Sequence, residues 1–198
     1  MGNNTMSADM RTRVIKAAAD CFDERGVEGT EYSHIAEAAG VSIEDIKSEF
    51  GSKEELALDA QSYEIERLTD EYLANMPDAS PRDAVKFIFR TRLSFIEAKP
   101  NRTKLFLSEA IQGKSPWSER LDQVIWHVSI ELASLLERGI REGRFEKNTD
   151  AQLVVRALTS IYLTGVVTIG MRREKIVAKD VWDFIEPQID LIFDCIRA

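Results

Sequence analysis

At 198 residues and 22.4 kDa, with 44% hydrophobic and 30% charged side chains and a formal charge of −8, the chain has the composition of a folded domain with a sizeable core. The longest uncharged run, Ala157 to Met171, holds four Ser/Thr residues and two glycines and falls short of the ~20 apolar residues that a membrane span needs, so no membrane partner is expected. Arg11, Arg13, Lys16, Asp20, Asp23 and Glu24 interrupt the first thirty residues, which speaks against a signal peptide and for a cytoplasmic location, where Cys21 and Cys195 are expected as reduced structural thiols.

The first helix is expected from about Ala8, with Val14, Ala17, Ala18, Cys21 and Phe22 along one face and Gly26 as its end. Thr30 then stands as an N-cap, Ile35, Ala36, Ala38 and Ala39 form a compact apolar face, and Gly40 occupies the left-handed C-cap position. Ser42, with Asp45 three residues on, opens a third helix whose apolar side is Ile43, Ile46 and Phe50. Small alanines let these two helices cross closely. The arrangement fits a helix-turn-helix and equally an ordinary helical hairpin. Gly51 closes it, and Ser52 with Glu55 forms a capping box opening a long helix, in which Leu56, Ala60, Tyr63, Leu68 and Tyr72 keep an apolar face until Pro77.

Beyond Pro77 the elements lengthen. Ser80-Pro81 starts a helix carrying Val85, Ile88, Phe89, Leu93 and Ile96 up to Lys99-Pro100. Leu105, Phe106 and Ile111 mark a second, ending near Gly113. Ser115-Pro116 opens a third, from Leu121 through Leu136 to about Gly143. Thr149 with Gln152 has a capping pattern before the apolar stretch Leu153 to Ile169, and a last helix carries Val181, Trp182, Phe184, Ile185, Ile189, Ile192, Phe193 and Ile196, with Pro187 inside it. These last two helices have apolar surface on more sides than one core readily covers, which makes them either the expected homodimer interface or two helices internal to a monomer. Phe95, Phe106, Trp117, Trp126 and Tyr162 read either as the lining of an effector pocket or as plain core packing. His127 either joins that pocket or is an ordinary surface or core histidine.

Three groups of residues carry a resemblance: Arg11, Val14-Ile15, Ala17-Ala18, Phe22 and Gly26; Thr30, Ile35-Ala36 and Ala39-Gly40-Val41-Ser42; and Phe50, Ser52-Lys53 and Leu56. Together they resemble, without a gap over about residues 11 to 56, the N-terminal domain of TetR-family transcriptional regulators. The resemblance implies an all-α fold, with a three-helix helix-turn-helix domain over 8–53 (motif 30–50) and a larger effector-binding and dimerisation domain over 54–198. It implies a homodimer on a double-stranded DNA operator, most often a repressor released by a small molecule. Carried over by position, Thr30 approaches the phosphate backbone with Glu31, Tyr32 and Ser33 beside it. Ser42, Ile43, Glu44 and Lys47 face the major groove, and Lys53 contacts a phosphate.

The chain departs from the family pattern at Glu44, Asp45, Lys47 and Glu49, around an Ile46 that keeps it, where a small pair, an aromatic, and a histidine or aromatic are usual. Residues 1–60 hold six Lys/Arg against thirteen Asp/Glu, so −7 of the chain's −8 lies here. Such a lobe binds bulk DNA poorly, although an acidic side chain can accept from a cytosine amino group and a helix N-terminus can hold a phosphate. A helical ligand- or protein-binding dimer with weakened or lost DNA binding therefore stands as the alternative. No cysteine or carboxylate stands at metal-ligand spacing from His34 or His127, and phosphate loops and nucleophile elbows are absent, so neither enzyme activity, metal nor cofactor is expected.

Overall fold

The computed structural model describes residues 6–76, 78–172 and 175–198. The helices are α1 (Ala8–Gly29), α2 (Tyr32–Ala39), α3 (Ile43–Phe50), α4 (Lys53–Ala74), α5 (Pro81–Ala98), α6 (Pro100–Ile111), α7 (Trp117–Arg141), α8 (Ala151–Gly165), continued by a π-helical turn over Val166–Gly170, and α9 (Ala178–Cys195). Among the described residues the extended structure amounts to one isolated bridge, Phe145 to Arg197. The expected all-α class is what the structure shows.

Local punctuation explains most boundaries. Ser80 accepts from the Asp83 N–H at 3.2 Å before α5, and Ser52 and Glu55 exchange bonds of 3.0 and 2.9 Å before α4. Two starts differ from expectation. α8 is capped by Asp150, whose carboxylate accepts from the Leu153 N–H at 3.0 Å, one residue after the expected Thr149. Gly26, at φ +73°, kinks the chain without ending it, so helix resumes to Gly29 and the next start moves from Thr30 to Glu31. Pro77, expected as the end of α4, lies outside the described residues; the helix itself stops at Ala74.

The chain forms two compact units, one of residues 1–69 and 99–118, the other of 70–98 and 119–198. The expected boundary at 53/54 is therefore not where the compaction falls. α6 returns to the first unit because its polar residues are needed there. Arg102, with 1% of its side chain exposed, donates through Nε and Nη2 to Asp23 of α1 at 2.6 and 3.1 Å, and through Nη2 to Glu64 of α4 at 3.2 Å. Lys99 also donates to Asp23. Arg11 of α1 performs a similar service nearer the motif, pairing with Glu49 of α3 at 3.2 Å and with Asp59 of α4, while lying 5.0 Å from the Phe50 ring centre. Between these two arginines runs the apolar core of Val14, Ala18, Phe22, Ile35, Ile46, Phe50 and Leu56.

In the second unit α5 and α8 pack on α9. Val85, Ile88, Phe89, Leu158, Val181, Ile185, Ile189 and Phe193 are all buried. At the rim Lys86 pairs with Glu186 and Asp190 at 3.2 and 2.7 Å. Burial acts to lower its pKa, but the hydrogen bonds to those carboxylates outweigh it and hold the ammonium above the ordinary lysine value. α9 runs as one helix through Pro187. Cys21 is buried as expected; Cys195 is exposed, and both are free.

Residues Ala151–Gly170 form a continuous helical run of 20 residues with mean hydropathy 1.6, 33% buried. By length and composition this run is long and apolar enough to cross a membrane. That corrects the expectation drawn from Ala157–Met171, which stopped the count at Arg156, a residue the longer run includes.

Gly165 lies where α8 meets α9: a Cβ there would come 2.5 Å from Ile185 Cγ2 and 3.3 Å from Val181 Cγ1, both on fully buried residues. Gly165→Val should lower stability by about 1–3 kcal/mol in urea unfolding, whereas Gly29→Ala, with only the Arg25 Cβ at 3.7 Å, should be neutral or slightly stabilising. Equal stability of Gly165→Val and the parent would show that the helices part without strain. Arg102→Met should cost about 3–5 kcal/mol by leaving Asp23 and Glu64 short of a buried partner. A loss below about 1 kcal/mol would mean that the two carboxylates reach water instead.

Candidate nucleic-acid interface

The first helix of the motif, α2, is capped by Glu31, whose backbone N–H donates to His34 Nδ1 at 3.1 Å. The imidazole so fills the place that Glu or Gln takes in a capping box. Thr30, one residue earlier, is fully buried, and its hydroxyl donates to the carbonyls of Cys21 and Gly26 at 3.1 and 2.7 Å. Its expected roles as N-cap and as a side-chain phosphate contact are corrected: the hydroxyl closes the end of α1 and presents nothing to solvent.

Gly40, at φ +66° and ψ +44°, makes the left-handed turn out of α2, and the Val41 N–H returns to the Ala36 carbonyl at 3.1 Å. α3 follows at once. Ser42 accepts from the Asp45 N–H at 3.1 Å and donates its hydroxyl proton to the Asp45 carboxylate at 2.8 Å, which fixes the start of the helix. Ile46 and Phe50, 0% and 5% exposed, anchor the inner side. With about 100° between successive residues, the side facing away from that anchor is centred on Glu44 and Ser48, with Lys47 and Asp45 on its flanks. All four are exposed, Ile43 is half-buried, and Ser42 is exposed at the turn. Ser48 was not among the expected contacts; its place one turn after Glu44 was the available signal.

Tyr32, half-buried at the start of α2, joins the two helices. Its hydroxyl donates to the Gly51 carbonyl at 3.4 Å, and Lys47 Nζ lies 5.2 Å from its ring centre. Burial, followed by Glu54 and Glu55, pushes the phenol above its ordinary pKa, so it stays a neutral donor. Glu31 and Ser33 are exposed beside it. Lys53, expected on a phosphate, donates to the carbonyls of Glu28 and Thr30 at 3.3 and 3.0 Å, tying the start of α4 to the α1–α2 junction. A groove of about 780 Å³ between α1 and α2, lined by Arg13, Lys16, Asp20, Glu24, His34 and Glu37, has no single sign of charge.

The six expected effector residues divide between the two units, two in the first and four in the second. Phe106 and Trp117 belong to the first unit, buried with ring centres 6.2 Å apart, as core packing requires. In the second unit Trp126 is 66% exposed and His127 is exposed, because the inward stripe of α7 is Val128, Leu132 and Leu136. Those two are corrected from pocket to surface. Phe95 is half-buried, and Tyr162 packs on Phe89 at 4.8 Å. Burial pushes the Tyr162 phenol up, against a lowering influence from Arg92. Arg92 is itself buried, donating to the Tyr72 hydroxyl at 3.2 Å, and Tyr72 donates to Glu131. This buried polar cluster joins four helices and has no local sequence signal.

The family model for bacterial regulatory proteins of the tetR family matches residues 14–60. The chain is 27% identical over 165 residues to the HTH-type transcriptional regulator AqdR of Rhodococcus erythropolis, covering 81% of this chain and 77% of AqdR. It is 27% identical over 135 residues to RutR of Escherichia coli K12, another HTH-type transcriptional regulator, where the match covers 66% of this chain and 62% of the relative. The fold is that of FadR from Bacillus subtilis, solved in complex with stearoyl-CoA, with a TM-score of 0.71 at 18% identity over 94% of this chain and 99% of that one. With its capped α2–turn–α3 motif braced by α1, the N-terminal part of this chain is a helix-turn-helix domain of the tetR family, and over most of its length the chain is similar to HTH-type transcriptional regulators.

Proposed function

We propose that the chain is a repressor that reads its operator with the outward side of α3 and leaves it when a small molecule binds in the second unit. The observation that carries the first half is the exposed row of Glu44, Lys47 and Ser48 on a helix fixed at both ends, by Ser42 and Gly51, and anchored by Ile46 and Phe50. Ser42 and Ile43 border that row, and Glu31, Tyr32 and Ser33 bring the N-terminus of α2 to the phosphate backbone. Lys53 acts mainly by holding that N-terminus in place through the Glu28 and Thr30 carbonyls.

The second half rests on the interior of the second unit. Arg92, Tyr72 and Tyr162 give it polar groups within an apolar surround, where a ligand could alter the packing of α4 and α5. Effector binding lowers operator affinity only by the difference in its affinity for the two states of the protein. FadR of Bacillus subtilis holds stearoyl-CoA, a precedent for a small-molecule effector on this fold. For the dimer, α8 and α9 are the natural interface: Leu153, Phe184 and Leu191 are 57%, 40% and 64% exposed on helices whose other faces are already packed. A second copy of the pair would cover this surface, and it accounts for the apolar run of Ala151–Gly170 without a membrane. The cytoplasm is the compartment this role requires.

The balance of six cations against thirteen acids in residues 1–60 favours a second reading, a helical dimer that binds a small molecule with DNA binding lost. Mobility shift of the protein on duplex from its own upstream region, at two salt concentrations and with unrelated duplex as competitor, separates the two. A competitor-resistant shift supports the repressor; a folded dimer giving none at low salt supports the other.

On that operator, Lys47→Ala should weaken binding about three- to thirtyfold and reduce the salt slope by about 1. Lys53→Ala should weaken it together with a lowered melting temperature, since its bonds are internal. Unchanged affinity in both would remove these roles. Leu191→Glu should give a folded monomer by light scattering that no longer shifts operator; a persistent dimer would place the interface elsewhere.

A further inference from the structure

The three acids of α3 differ in what they already bind. Glu49 pairs with Arg11 at 3.2 Å, and Asp45 accepts the Ser42 hydroxyl at 2.8 Å. Glu44 has neither a hydrogen bond nor an ion pair among the described residues, is exposed, and lies about 160° around the helix from the buried Ile46. Lys47, three residues on, is drawn over the Tyr32 ring and is not its ion-pair partner. The centre of the outward face is thus an unpartnered carboxylate one turn from Ser48. Between two phosphate strands such a group is repelled unless a base edge offers it a hydrogen.

We propose that Glu44 is the specificity-determining residue of the operator contact, accepting a hydrogen bond from a cytosine N4 amino group in the major groove. A carboxylate only accepts. Guanine presents two acceptors on its major-groove edge and thymine an acceptor and a methyl, so both repel or waste it. Adenine offers its N6 donor beside the N7 acceptor, a pattern that suits a side-chain amide, whereas the cytosine edge offers the donor without an acceptor of its own. In an acidic lobe the same residue works as a filter, because every sequence lacking that amino group leaves the carboxylate facing phosphate. The inference rests on α3 entering the major groove, as proposed above.

The test is selection from a random duplex pool by the full chain, repeated with Glu44→Ala and Glu44→Gln, followed by mobility shift on the enriched site and its single-base variants. The parent should enrich a two-fold site with cytosine at one symmetric position, preferring it about tenfold or more over thymine there. Glu44→Ala should keep the rest of the site and lose that preference, and Glu44→Gln should move it toward adenine, a change that a purely structural role would not produce. Enrichment of one site by all three proteins with the same preferences at every position would overturn the role of Glu44 while leaving DNA reading intact. Failure of the parent to enrich any site would overturn both.

Discussion

A buried guanidinium has to be met by carboxylates, and in this chain that requirement decides which helices belong together. Arg102 sits 79 residues beyond Asp23 and 38 beyond Glu64, yet its bonds to both are made in the interior of the first unit. An arginine there without them would leave a charge out of water, at a cost of several kcal/mol. α6 is therefore held against α1 and α4, and the three-helix motif acquires a fourth supporting element from far down the sequence. Arg11 works on the same principle at the other end, reaching α3 and α4 from α1. α3 is positioned by packing inside and by the Arg11 pair with Glu49 at its rim. A shift of α4 cannot occur without disturbing at least one of these arginine pairs.

The same requirement organises the second unit by itself. There Arg92 donates to the Tyr72 hydroxyl and Tyr72 donates to Glu131, so residues of α5, α4 and α7 are drawn together around one buried guanidinium. A guanidinium left in that interior without these partners would carry the same penalty as an unpaired Arg102.

Much of the fold could be read from the sequence because its signals are local. Gly40, Ser42 with Asp45, and Ser52 with Glu55 all perform the caps that their spacing announces. The errors arise where a neighbour in space overrides the local signal. Thr30 looks like a cap in one dimension, but the kink at Gly26 leaves two carbonyls of α1 within reach of its hydroxyl, and that use wins. Trp126 and His127 fall outside the inward stripe of α7, as the four-residue spacing of Val128, Leu132 and Leu136 already implies. The Arg102 and Arg92 clusters draw on three or four helices each, so no window of sequence contains them.

The acidity of the first unit has a twofold meaning once its partners are known. Asp23, Glu49 and Asp59 are engaged by Arg102, Lys99 and Arg11, and Glu55 caps α4, so part of the negative charge is structural. Pairing of this kind uses the cations as well, since Arg11 and, through carbonyls, Lys53 are no longer free to neutralise phosphate. The lobe's negative field therefore persists while few cations remain to oppose it. Non-specific affinity, which grows with each phosphate neutralised, is kept low by the same bonds that hold the motif rigid. Any DNA affinity of such a lobe has to come from base-edge contacts and helix N-termini, because the pairing leaves few cations for phosphate.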